Sequence, residues 1–134
     1  MGTDLQEVYT SFFSKTVFDY SLLQDLVYIF LKSALTRAKK NTNHSLEMTF
    51  TNEEAFEGYF VEVLDEEEVE YIALWMRWYE ASRATQQVVK MANSVGSNVF
   101  YRNETNKSLM ESKIAGQQQA YSDVILYEQD FFYM

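Results

Sequence analysis

The densest set of ionisable side chains is the run LDEEEVEYIALWMRWYEA, residues 64 to 81, where Asp65, Glu66, Glu67, Glu68 and Glu70 stand next to both tryptophans of the chain. Carboxylates in such numbers could hold a divalent cation or act as general acid and base, provided that they converge from different elements. These occupy successive positions of one helical stretch, so their side chains diverge around it. No metal site is predicted. Asp65 and Glu68 instead have the spacing of a capping box, in which each side chain satisfies a free backbone N–H of the other. Acidic groups in a first helical turn also face the positive end of the macrodipole, worth roughly 0.3–1 kcal/mol for each well-placed charge.

The remaining candidates for chemistry are few. The sole histidine, His44, lies in the polar stretch NTNHS, with no nearby nucleophile and orienting acid to make a dyad or triad, and reads as a solvated loop residue. Glycines at 2, 58, 96 and 116 are scattered, so no phosphate-cradling loop or dinucleotide fingerprint can be drawn. There is no cysteine, which removes thiolate metal sites and disulfides and suits a reducing cytoplasm. RAKK, ending at Lys40, fits a helix C-terminus better than a phosphate patch. The triplets NHS, NET and NKS match the glycosylation pattern, but MGTDLQEVY has none of the basic and apolar character of a secretory signal. The sequence thus gives no catalytic, cofactor-binding or metal residue, and the chain is not expected to be an enzyme.

The length of 134 residues fits one domain, spanning residues 1–134, and 47% hydrophobic content with ten Tyr and ten Phe excludes general disorder. A formal net charge of −9 opposes binding to nucleic acid and to anionic membranes. LLQDLVYIFLKSALTRA, the most apolar stretch, is broken by Gln24, Asp25 and Lys32 and falls short of a membrane span.

These side chains are positioned by a mainly α fold, expected as a bundle of about four helices with a small β-hairpin between the second and third. Leu5, Val8, Tyr9 and Phe12 predict a first helix to about residue 14, with Thr3 and Gln6 as a capping box. Asp19 or Ser21 would cap the second. Its stripe of Leu22, Leu23, Leu26, Val27, Phe30, Leu31, Ala34, Leu35 and Ala38 has the 3.6-residue period of a helix with one face in a core. From Leu46 the period becomes two. Leu46, Met48 and Phe50, then YFVEVL, predict the hairpin, with Gly58 near its turn or at a bulge. The third helix starts at Asp65 and breaks at or before Gly96. Val69, Ile72, Ala73 and Met76 mark one apolar face; Tyr71, Trp75 and Trp78 mark another, which needs a second surface, either a local helix or another chain. Leu109, Met110, Ile114, Gln117, Tyr121, Val124 and Ile125 form a looser helical stripe weakened at Gly116, and DFFYM closes an aromatic tail over about 126–134.

Taken in order, FSKTVFDYSLLQDLVYIFLKSALTRA, LEMTF, LDEEEVEYIALWMRWYEA, NVFYRNETNKSLMESKIAG and YEQDFFYM resemble the head-to-tail connector, or neck, proteins of tailed bacteriophages. The likeness spans most of the chain. It implies a small, mainly helical structural subunit of the virion neck, made in the bacterial host cytoplasm. Such subunits assemble with themselves as a ring, dodecameric by resemblance, that docks on a portal protein and offers a surface to the tail or the next connector protein. DNA would pass through the channel without sequence-specific binding. The contacts expected for this role come from the hairpin residues Met48, Phe50, Tyr59 and Val61, from Trp75, Trp78 and Tyr79, and from Phe131, Phe132, Tyr133 and Met134. Tryptophan is favoured in cores and interfaces alike, so the sequence leaves the placement of Trp75 and Trp78 open. The competing expectation is a small acidic regulator or inhibitor that grips a basic protein partner through DEEE and its neighbours.

Overall fold

The computed structural model describes residues 2–16, 24–42 and 44–131. Among these residues it is mainly α, 74% helical, with five helices and a two-stranded antiparallel hairpin between the second and third. The order is α1 (Leu5–Lys15), α2 (Gln24–Ala38), β1 (Met48–Asn52), β2 (Glu57–Phe60), α3 (Glu66–Val95), α4 (Ser97–Arg102) and α5 (Glu104–Phe131).

The leucine-rich stripe does what its period demands. Val27, Phe30, Leu31, Ala34, Leu35 and Ala38 of α2 are buried, and they meet Leu5, Val8 and Phe12 of α1 and Tyr71, Ile72 and Met76 of α3 in one core. Each fully buried large apolar side chain contributes about 1.5–3 kcal/mol over its exposed state. Leu22, Leu23, Asp19 and Ser21 lie outside the described residues, as do Phe132, Tyr133 and Met134.

The cap of α1 differs from the expected pairing. Asp4, not Thr3, accepts the Gln6 backbone N–H, at 2.8 Å. Thr3 is buried, and its hydroxyl is drawn to the segment before α3: it accepts from Leu64 N at 2.7 Å and donates to Leu64 O at 3.3 Å. The backbone of Thr3 also pairs with the hairpin, donating to Glu62 O and accepting from Phe60 N. An isolated hairpin is marginal in water, and this added segment plus the helices beneath it stabilise the pair.

In the hairpin Met48 faces Phe60, Thr49 faces Tyr59 and Phe50 faces Gly58, with an irregularity in register between Phe50 and Asn52. Gly58 is required by proximity: a Cβ there would lie 2.2 Å from Thr49 O and 2.8 Å from Phe50 Cα, both backbone atoms. The second strand is shorter than its sequence run, ending at Phe60, and Val61 and Val63 point to solvent while Leu64 returns to the core.

Asp65 and Glu68 form the expected capping box at the start of α3, with Asp65 accepting from Glu68 N at 2.9 Å and Glu68 accepting from Asp65 N at 3.3 Å. Both apolar faces of this helix are used within the subunit. One meets α1 and α2; the other is covered by α5, where Val124 joins the main core and Tyr127 lies parallel to Tyr71 with ring centroids 6.1 Å apart. The half-buried ion pair Arg77–Asp123, at 2.6 Å, ties the same two helices.

The break falls at Gly96, whose φ of 90° lies in the region that glycine adopts without steric cost. It ends α3 and sets off α4, the short extra helix. Beyond residue 80 the 30-residue α3, roughly 45 Å long at 1.5 Å per residue, leaves the main core. A second, smaller cluster of Val88, Ala92, Phe100 and Met110 holds its outer half against α4 and the start of α5. No residue of α1, α2 or the hairpin belongs to that cluster. The molecule is a helical base with an α3–α4–α5 arm.

Residues 126–131, expected to open an aromatic tail, continue α5 instead. The physical reason is local. Tyr127 stacks on Tyr71 and donates to Glu67 O at 2.9 Å, and buried Glu128 accepts the Tyr71 hydroxyl at 2.8 Å, so the last turns are anchored to α3.

Candidate partner-binding surfaces

Two groups of side chains merit weighing, a polar one at the start of α3 and an apolar one along the arm. The polar group begins with His44. Its Nδ1 lies 2.6 Å from Glu62 Oε2 and its Nε2 lies 3.1 Å from Glu68 Oε1. Ser45 completes the clasp, donating from its backbone N and its hydroxyl to Glu62 Oε1, both at 2.9 Å. The expected solvated loop histidine is thus half-buried and held between two carboxylates. What brings them together is chain closure: the loop after α2 crosses the end of the hairpin just where α3 begins. Leu46, two residues on, is buried with a φ of 57°, a conformation costing a bulky residue on the order of 1–3 kcal/mol. The clasp and the burial of the Leu46 side chain hold the loop in that shape.

The electrostatics follow from geometry. The hydrogen bond that His44 donates to Glu62 raises the His44 pKa above 6.5, aided by the charge of Glu68. The hydrogen bond from His44, followed by those from Ser45, lowers Glu62 to about 2. A raised histidine stabilises the fold below its unfolded pKa and loses that contribution as pH rises through the folded value; a depressed carboxyl stabilises above its unfolded pKa of 4.5 and loses it as pH falls. The clasp is therefore complete from about pH 4.5 to 6.5 and weakens on either side. Thermal unfolding of the chain and of His44→Gln should differ most in that window, with the gap narrowing as pH rises. A gap of constant size into the alkaline range would rule out the charged clasp.

Next to it, Asn41, Thr42, His44, Asp65, Glu67, Glu68 and Phe131 line an open groove of about 440 Å³. Asn41 Nδ2 donates to Tyr71 OH at 2.8 Å, which in turn donates to Glu128. Burial, with the nearby Glu128 carboxylate, pushes the Tyr71 phenol up to about 12. A second carboxylate-lined groove, between α1 and α3, holds Asp4, Glu7, Glu66 and Glu70, and Glu70 is already paired with Lys15 at 2.5 Å. Among the described residues no group of histidine, aspartate and glutamate could hold a metal ion.

The residues expected at contacts fall in separate places. Trp75 is a core residue, 5% exposed. Trp78 and Tyr79 are half-buried beside it, with Trp75 and Trp78 edge to face at 5.8 Å and Trp78 and Tyr79 at 4.9 Å. Arg37, the first cation of RAKK, lies over both indoles, 5.3 Å from Trp75 and 5.8 Å from Trp78, and donates to Tyr79 OH. Its role is to cover aromatic faces. Met48 and Phe50 are half-buried against the core, Phe50 meeting Tyr28 at 5.7 Å. Tyr59 is half-buried, Val61 is exposed, and Phe131 is exposed at the end of α5, 4.4 Å from Tyr127. None of the described ring contacts joins the hairpin to the tryptophan cluster or to Phe131.

The largest concentration of exposed apolar side chains lies elsewhere. On the arm, Val89, Met91 and Val95 of α3, Val99 and Tyr101 of α4 and Leu109 of α5 are all exposed. Sequence reasoning marked none of this set as contacts. The signal was present, because Val88, Met91, Ala92 and Val95 share one helical face by their spacing, and the small cluster buries only Val88 and Ala92 of them.

Comparisons with family models, curated proteins and solved structures find no match to this chain. No described helix is long and apolar enough to cross a membrane.

Proposed function

We propose that the chain is a structural subunit of a tailed-bacteriophage neck: a ring-forming head-to-tail connector that docks on the portal protein and presents a surface to the tail or the next connector. The observation that carries this reading is the α3–α4–α5 arm, which leaves the helical base and exposes apolar side chains that a lone copy has no means of covering. An arm of one subunit lying on the base of the next is a heterologous contact, and such contacts close into rings when the rotation allows. The sequence resemblance adds the place, the virion neck, and a dodecameric ring. The net charge of −9 suits a channel through which DNA passes without being gripped.

Size-exclusion chromatography with light scattering, followed by imaging of the peak, tests it. The expected result is one large, defined oligomer, formed by the chain alone or on addition of the portal protein. A stable species of 15.8 kDa, indifferent to portal and tail proteins, would overturn the reading.

The groove of Asp4, Glu7, Glu66 and Glu70 favours a second reading, a small acidic regulator of a basic protein. Such a protein would stay small in the same experiment and bind its partner with strong salt dependence.

A further inference from the structure

The hairpin has one covered edge and one free edge. Beyond β2 the chain supplies a third segment of its own: Phe60 N donates to Thr3 O at 2.7 Å, Thr3 N donates to Glu62 O at 3.2 Å, and Asp4 forms a bridge with Tyr59. Beyond β1, no segment pairs among the described residues.

The ladder fixes which groups that edge presents. Val61 N donates to Glu47 O at 2.9 Å, and in an antiparallel ladder such hydrogen-bonded pairs alternate with pairs whose N–H and C=O groups point away from each other. Met48 opposite Phe60 and Phe50 opposite Gly58 are of the second kind. Phe60 spends its outward N–H on Thr3, whereas the outward groups of Met48 and Phe50 find no partner among the described residues. The side chains of Met48 and Phe50 are packed against the core, with Phe50 edge to face with Tyr28 of α2, so the strand is held in place before anything joins it. A charge or a proline within the strand would guard an open edge; MTFTN has neither, and the irregularity of register lies beyond Phe50.

The charges around the strand select its occupant. Glu47 stands just before β1 and Glu53 and Glu54 just after it, all exposed and none in an ion pair among the described residues. A second copy fits poorly. Pairing Met48 and Phe50 with the same residues of another β1 brings Glu47 opposite or diagonal to Glu47 or Glu53 of that copy, and like charges so placed are destabilising. An extended segment with a cation at each end meets these carboxylates favourably, while its backbone continues the ladder.

We infer that the outer edge of β1 accepts an extended segment of a protein partner, with lysine or arginine flanking about five uncharged residues, which joins the hairpin as a further strand. The inference goes beyond the connector reading and does not rest on ring formation, since the edge is built within one subunit.

Fluorescence anisotropy and amide hydrogen exchange on the full chain, with a fluorescein-labelled peptide of sequence KVTVTVK, test it. The peptide should bind, and neither a glutamate-flanked counterpart nor one N-methylated at its five inner residues should do so. In the free chain the Met48 and Phe50 amides should be at least about tenfold less protected than that of Thr49, which the ladder holds, and saturating peptide should slow both by about tenfold or more. Glu47→Gln with Glu53→Gln should weaken binding by about five-fold or more, and Glu104→Gln with Glu111→Gln, an equal loss of charge on α5, should leave it unchanged. Binding that survives N-methylation, falls equally with both glutamine pairs or leaves Met48 and Phe50 exchange unaltered would reduce the effect to the general negative field and overturn the proposal. Absence of binding would overturn it too. So would protection of Met48 and Phe50 in the free chain, by showing the edge already taken by a second copy or by the chain itself.

Discussion

Trp75→Ala is expected to destabilise the isolated subunit by about 3–5 kcal/mol, at the upper end of what truncating a buried aromatic residue costs. The side chain is 5% exposed and projects from α3 toward Arg37 of α2 and Tyr121 of α5. Three aromatic neighbours surround it, Trp78 at 5.8 Å, Tyr71 at 6.5 Å and Tyr121 at 6.5 Å, each in an edge-on arrangement. Such pairs add about 0.5–1.5 kcal/mol beyond the area they bury. The Arg37 guanidinium over the ring then loses one of its two indole faces. Small domains have margins of about 5–15 kcal/mol, so this substitution removes a large fraction of the total. Trp78→Ala should cost less, because that side chain is half-buried. Urea unfolding at a concentration where the chain is dissociated gives both values. A loss under about 1 kcal/mol for Trp75→Ala, with assembly abolished, would return the residue to an interface.

The contrast between these two tryptophans marks the boundary of what the sequence could carry. A period of 3.6 identifies Tyr71, Trp75 and Trp78 as one face but says nothing of what lies opposite. That face is covered by α5, some fifty residues on, whose own stripe is diluted by GQQQA and by Glu128 in a buried position. Glu128 reads as a surface residue until Tyr71 is placed beside it. Features set by neighbours along the chain were legible: the α2 stripe, the Asp65–Glu68 box, the period-two hairpin with Gly58, the break at Gly96. Those set by tertiary closure were not. Thr3 meets Leu64 across 61 residues, and His44 meets Glu62 and Glu68 across 18 and 24, with no local pattern to announce either. The capping-box reading of Glu68 was right and still incomplete, since the same carboxylate oxygen also serves His44. The arm was legible only in part. Its break at Gly96 could be placed, but the separation of Val88, Ala92, Phe100 and Met110 from the main core depends on where α1 and α2 stop.

That separation makes the arm testable apart from the base. Met91→Glu with Val95→Glu should abolish the defined oligomer while leaving the folded subunit intact. The two side chains are 51% and 53% exposed and stand four residues apart on α3, beside the stripe of Val88 and Ala92 that fills the small cluster. Exposed substitutions of this kind change stability by within about 0.5 kcal/mol, so helical content and the urea midpoint of the dissociated chain should be preserved. At a contact the outcome is different. An unpaired charge taken out of water costs several kcal/mol, and each 1.4 kcal/mol is tenfold in affinity, so two such charges should raise the dissociation constant by roughly a thousandfold or more. Met91→Lys with Val95→Lys separates desolvation from repulsion between subunits that already carry a charge of −9. If burial of the apolar face drives assembly, the lysine pair disrupts it as fully as the glutamate pair. If the lysine pair assembles normally and only the glutamate pair fails, like-charge repulsion is the cause and the face stays hydrated in the oligomer. An oligomer untouched by both pairs would remove the outer face of the arm from the contact, and with it the observation on which the connector reading stands.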